Sequence, residues 1–165
     1  MNWIDEDSKL KKMLSNLEEL PKYEVRVGFF DTMYGDDNDN HYVAQVAQWQ
    51  EEGVKHDEKF THPRPFFRQN FDQEVKSSKY RKPIGFMIDK VSKGISPVVK
   101  ELTVMGQGLK LELGRILENG DMFAKNSDEW SEHKQKVYGS STPLTYTGLM
   151  KDSVKFKVNK TGKND

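Results

Sequence analysis

The chain has 165 residues with 26 Lys+Arg against 26 Asp+Glu, so its formal net charge is zero, and its length fits one domain of ordinary size. A mean hydropathy of -0.85 is polar for a folded domain, yet nine Phe, six Tyr and three Trp still supply a modest core. Zero net charge argues against chain-wide nucleic-acid affinity, which needs a basic surplus, and the absence of cysteine removes disulfides and thiolate chemistry.

No stretch approaches the roughly 18 apolar residues of a membrane span. The acidic start, Asp5-Glu6-Asp7, lacks the basic-then-apolar layout of a signal peptide. The expectation is a soluble protein made and used without export.

Residues 8–20 predict an amphipathic helix. Ser8 stands at the cap position, and Leu10, Met13, Leu14, Leu17 and Leu20 recur at three- and four-residue steps before Pro21. Tyr23, Val25, Val27 and Phe29 then alternate with polar residues or glycine, the period of a half-buried strand. The acidic stretch 31–40 reads as an exposed loop. A helix follows over 41–52, with Gly53 as its stop. Residues 55–59 read as a second polar loop. In His62-Pro63-Arg64-Pro65-Phe66-Phe67-Arg68, two prolines around one arginine force an extended backbone.

Phe67, Phe71 and Val75 predict a helix over 67–80, interrupted or restarted at Pro83. Ile84, Met87, Ile88 and Val91 carry an apolar stripe on to Gly94. The longest helix is expected over 96–118, its core face built from Val98, Leu102, Met105, Leu109, Leu113, Ile116 and Leu117. Gly106 and Gly108 inside it cost about 1 kcal/mol each relative to Ala, so they imply either close contact or a bend. Asn126 and Glu129 have capping-box spacing for a short helix to about residue 136. A turn at 139–143, a short helix over 144–153 and a strand carrying Val154, Phe156 and Val158 complete the chain, with residues 159–165 as a frayed basic tail. The order of elements predicts one α+β domain with its core at about 8–158: a small, mainly antiparallel sheet packed against several helices, one of them long.

Motifs for chemistry are weak. Asp36, Asn38 and Asn40 match the opening of a calcium loop. The match then fails, because His41 stands where glycine is required and Ala47 where a bidentate glutamate belongs. His56 and His62 lie six apart, without the helical pairing of a metalloprotease. A metal-dependent hydrolase using His41, His56 or His62 is the rival of a different class. No serine sits in a Gly-x-Ser-x-Gly elbow, and Gly106-Gln107-Gly108 is no phosphate loop. The residues call for no catalytic group, metal or cofactor.

Charge is unevenly spread. Between Val75 and Lys100 stand seven basic residues, Lys76, Lys79, Arg81, Lys82, Lys90, Lys93 and Lys100, against Asp89 alone. Such a stretch suits a DNA channel or an acidic partner, and a solvated helix face is the plain alternative.

Three ordered segments resemble the tail-completion or neck family of tailed bacteriophages, small proteins of the head–tail joint. The first is the strand Val25-Arg26-Val27-Gly28-Phe29, a variable turn, and the helix opening Tyr42-Val43-Ala44-Gln45-Val46-Ala47. The second is Pro63-Arg64-Pro65-Phe66, which is similar to the family's proline–x–arginine–proline–phenylalanine signature. The third is Asn126, Trp130 and Lys134, followed by Pro143-Leu144-Thr145-Tyr146-Thr147-Gly148-Leu149-Met150. Here Glu51-Glu52-Gly53 lacks the bulky residue the family often places before the glycine, and the insertion after Gly35 is longer than usual.

The resemblance implies a structural virion protein: a homo-oligomeric ring at the neck that completes the tail and joins it to the head, without catalysis. A tail-tube terminator or head-closure protein is the nearby alternative. Other neck proteins, and packaged DNA in the channel, are the implied partners. Pro63, Arg64, Pro65, Phe66, Trp130, Pro143, Leu144, Thr147 and Gly148 become the structural or interface residues. Thr147 is read as a helix cap and Gly148 as leaving room for close backbone approach. The polar loops 31–40 and 54–60 are the expected sites of neighbour contact.

Overall fold

The computed structural model describes residues 3–35, 40–56, 59–72, 78–120, 123–144 and 148–162. The fold is α+β. In chain order the elements are α1 (Trp3–Glu18), a 3-10 turn (Leu20–Lys22), β1 (Tyr23–Phe29), α2 (Val43–Glu52), β2 (Val54–His56) and β3 (Lys59–Thr61). A π-helical turn (Arg68–Asp72), α3 (Ser78–Ser92), α4 (Val98–Glu118), α5 (Asp128–Tyr138), α6 (Leu149–Asp152) and β4 (Val154–Lys160) follow. Strand β1 pairs with β4, and β2 pairs antiparallel with β3, matching Val54 with Thr61 and His56 with Lys59.

The chain divides into two compact units. One comprises residues 1–27, 74–109 and 156–165, the other residues 28–73 and 110–155. In the first, Val91, Val98 and Leu102 form a buried cluster with Leu20, Tyr23, Val25, Met87 and Val158 against it. Helix α3 ends in a Schellman motif, with the Gly94 N–H donating to Val91 O and the Ile95 N–H to Lys90 O, both at 2.9 Å. In the second, Val43, Phe66, Leu113, Leu117 and Val154 are the largest fully buried side chains. Phe66 and Phe67 pack against Phe29 at 6.4 and 6.5 Å between ring centroids, and Phe71 lies 5.4 Å from Phe67.

The α4 stripe falls where its periodicity predicts, from Val98 to Leu117. Gly106 resolves the choice between contact and bend: in the first unit it faces the Phe156 ring, and a Cβ there would lie 2.9 Å from Cγ and Cε2 and nearer still to Cδ2. Gly108 has nothing within 4 Å of that position.

Several expectations need correction. Helix α1 begins at Trp3, so Ser8 lies inside it rather than capping it. Leu10, Met13 and Leu14 of its expected core face are exposed. Pro83 neither interrupts nor restarts α3, which runs straight through it. Proline at the sixth helical position withholds the bond that the Lys79 carbonyl would have accepted and crowds that carbonyl, and the packing of α1 against α3 holds the helix despite this. Ile84 and Ile88 are exposed, so Met87 and Val91 alone of that stripe face the core.

The segment read as a polar loop at 55–59 carries the strand ends of the β2–β3 hairpin. The stretch 31–40 is closed at its ends: the Tyr34 N–H donates to His41 O and the Val43 N–H to Thr32 O, both at 2.9 Å, and Tyr34 is buried. Ser127, not Asn126, caps α5, its Oγ accepting from the Trp130 N–H. The last strand extends to Lys160, and Thr161 donates from N to Lys22 O and from Oγ1 to Pro21 O, so the tail through Thr161 is not frayed.

Candidate functional site

The second unit contains a cleft of about 300 Å³. Its walls come from segments far apart in the chain. Tyr34 lies in the 31–40 stretch and His41 just after it, Trp49 and Gln50 lie on α2, Arg64 follows β3, and Trp130 and Lys134 lie on α5.

Arg64 is the organising side chain. Pro63 and Pro65 hold its backbone extended, and its own N–H donates to Gln50 O at 2.7 Å. Only 7% of the residue is exposed. The guanidinium donates from Nε to Ala124 O at 2.9 Å, from NH1 to Gln50 Oε1 at 2.5 Å, and from NH2 to Asn126 Oδ1 at 3.0 Å and Lys125 O at 3.5 Å. Asn126 in turn donates from Nδ2 to Ser141 O at 2.9 Å. One planar fork therefore ties α2, the proline-flanked segment and the approach to α5 together through carbonyl and amide oxygens.

Just beyond it, the Glu51 carboxylate accepts from the Phe67 and Arg68 N–H groups, each at 2.9 Å. The segment opening with Phe66 is thereby capped by a side chain from α2, as a helix start requires.

Lys134 is the second buried cation, 2% exposed, with Nζ donating to Thr142 O at 2.5 Å. Burial pushes its pKa below the ordinary lysine range, and the neighbouring Arg64 charge pushes it the same way. Burial also lowers the pKa of Arg64 and raises that of Tyr34. Neither cation has a carboxylate partner among the described residues. Two tryptophans stand half-open in the cleft, Trp49 at 40% and Trp130 at 41% exposure. The Trp49 ring meets His41 edge-on at 4.8 Å, and Trp130 stacks on His133 at 5.2 Å.

The structure thus brings together Arg64, Trp130 and Leu144, with Asn126 beside them. Phe66 is buried in the same unit, Pro143 is buried, and Pro63 is exposed. Thr147 lies outside the described residues. Gly148 is needed for conformation rather than for close approach: its φ is 80°, and a Cβ there would meet only Asp152 Oδ2 at an ordinary 3.8 Å. Lys134 was not singled out by chemistry in the sequence. The signal was its place four residues after Trp130, on the same face of a short helix.

The basic stretch lies elsewhere. Lys76 is outside the described residues, and Lys79, Arg81 and Lys82 belong to the first turns of α3. Lys90 pairs with Glu101 at 3.4 Å and Lys93 with Asp89 at 2.7 Å, so part of the surplus is neutralised locally. Among the described residues no group of three or more His, Asp or Glu side chains is arranged to hold a metal ion, and no helix is long and apolar enough to cross a membrane. No family model matches the chain, and neither a curated protein nor a solved structure matches it.

Proposed function

We propose that this chain is a non-enzymatic virion component of the bacteriophage neck. It assembles as a homo-oligomeric ring that completes the tail and joins it to the head. The observation that carries this reading is the meeting of the three family-like segments: Val46 from the first, Arg64 from the second, and Asn126, Trp130, Lys134 and Leu144 from the third gather around one cleft. Residues scattered over nearly a hundred positions thus serve one local structure, which is what a shared signature requires of its members.

Exposed apolar side chains support assembly. In the first unit, Leu10 and Leu14 of α1, Phe86 and Ile88 of α3, Ile95 and Val104 all stand in solvent, Phe86 at 69% exposure. A lone subunit gains nothing from displaying them, and burying them against a neighbouring subunit would favour association. Heterologous contacts that close on themselves make a ring.

The test is electron microscopy of lysates from a phage carrying a nonsense mutation in this gene, with and without complementation. The expected result is filled heads lying apart from finished tails, rejoined when the gene is supplied. Normal, infectious virions from the uncomplemented mutant would refute the neck assignment.

A further inference from the structure

The cleft in the second unit holds two buried cations with no anion to answer them among the described residues. A guanidinium offers five N–H donors and an ammonium three. Four of the Arg64 donors are used on Ala124, Gln50, Lys125 and Asn126, and one of the Lys134 donors on Thr142. That leaves one donor on NH1 and two on Nζ. Buried charge of one sign is expensive unless something of the other sign comes to it.

Around this charge the walls mix apolar and aromatic side chains with the amides of Gln50 and Asn126. Val46, Leu144 and Met150 line the cleft, and Trp49 and Trp130 stand half-exposed in it. A strongly hydrated dianion is a poor occupant, since its many oxygens would outnumber the three remaining donors. A volume of about 300 Å³ holds a small ring bearing one acidic group.

We propose that the cleft is a carboxylate-binding site whose ligand carries its carboxylate on a flat apolar body. The two carboxylate oxygens accept from Lys134 and from the remaining Arg64 donor, and the body lies against Trp49 and Trp130. A free aromatic acid has this chemistry, and so does an acidic side chain beside an aromatic residue on another chain. The inference rests on the cleft alone and is independent of the neck reading, whose own test is made in the phage.

The experiment uses the full chain labelled with ¹⁵N, with the indole N–H signals of Trp49 and Trp130 assigned through Trp49→Phe and Trp130→Phe. Benzoate probes the free acid, and acetyl-Asp-Phe-amide the side chain on a partner. Benzamide and acetyl-Asn-Phe-amide are the uncharged counterparts, and inorganic phosphate is the competing anion. The expected result is a saturable shift of both indole signals with at least one of the two carboxylates, about tenfold weaker with its amide counterpart. Lys134→Met, which keeps an unbranched side chain one atom shorter and removes its charge, weakens the carboxylate to the level of the amide. The stronger of the two probes identifies the source.

No binding, equal binding of acid and amide, or tighter binding of phosphate would overturn the proposal. So would a folded Lys134→Met that binds as the wild type does. The acid–amide comparison is made on the wild-type protein, so it decides even if the variant does not fold.

Discussion

Gly106→Ala and Gly108→Ala place the same methyl group two residues apart on α4 with opposite expected outcomes. At 108 the new Cβ meets nothing within 4 Å, so only helix propensity acts and the variant gains up to about 1 kcal/mol. At 106 the new carbon would sit 2.9 Å from Cγ and Cε2 of Phe156 and closer to Cδ2. Ordinary carbon contacts begin near 3.5 Å, so the ring must retreat by at least about 0.6 Å. Cγ is held close to the β4 backbone and cannot swing away as a chain end would. Overpacking of this kind typically costs about 1–3 kcal/mol. Against the same propensity gain, the net loss is about 1 kcal/mol, and the two variants differ by about 2 kcal/mol. Urea unfolding followed by circular dichroism, compared at equal slope, reads that difference directly. Phe156→Ala removes the obstacle, so in its background Gly106→Ala becomes neutral or stabilising, a coupling of at least about 1 kcal/mol. A Gly106→Ala protein as stable as the wild type, or the same loss with and without the Phe156 ring, would refute the reasoning.

Three further outcomes follow from the second unit. Lys134 has a lowered pKa in the folded state, so between that value and the ordinary lysine range the unfolded chain binds more protons and folding strengthens as pH rises. The wild-type minus Lys134→Met difference in unfolding free energy therefore increases through that alkaline window, and a falling difference in pH-dependent urea titrations contradicts the burial of the ammonium. Ser127→Ala removes the α5 cap and costs about 1 kcal/mol, a loss of roughly 2–4 °C in thermal unfolding for a chain of this size. An unchanged melting temperature would return the cap to Asn126. Glu51→Ala strips two backbone donors of their acceptor, so amide exchange at Phe67 and Arg68 accelerates about tenfold or more while that of α5 is unaffected. Equal exchange in both proteins removes Glu51 from that role.

What was legible in the sequence was whatever a repeating side-chain pattern encodes. The α4 face from Val98 to Leu117 announces itself because burial of one side leaves a period, and the residue alternation marks β1 and β4 as strands although their exposure does not alternate in step. The β2–β3 hairpin was not legible. Val54 and Thr61 are matched across it, but three-residue strands are too short for alternation, and no Gly or Asn marks the turn. Pro83 misled because a local rule about proline says nothing of the tertiary packing that carries α3 through it. For the cleft, the prolines correctly announced a fixed Arg64, whose partners turned out to be carbonyl and amide oxygens up to 62 positions away. Lys134 looked like any surface lysine in a polar helix. Its burial arises from the approach of residues 142 and 64, which no local window contains.

The division of the chain also bears on how it is made. The first unit draws on residues 1–27, 74–109 and 156–165, and β4 supplies both Phe156 opposite Gly106 and Val158 against the buried cluster. While the ribosome is still short of β4, helices α1 and α3 have emerged with Leu10, Leu14 and Phe86 already displayed and the core beneath them unfinished. Such a nascent chain carries two sticky surfaces at once, one permanent and one temporary, the condition under which neighbouring chains on a polysome aggregate or recruit chaperones. Emergence of β4, rather than the first appearance of the helices, sets the moment at which the core of this unit can close.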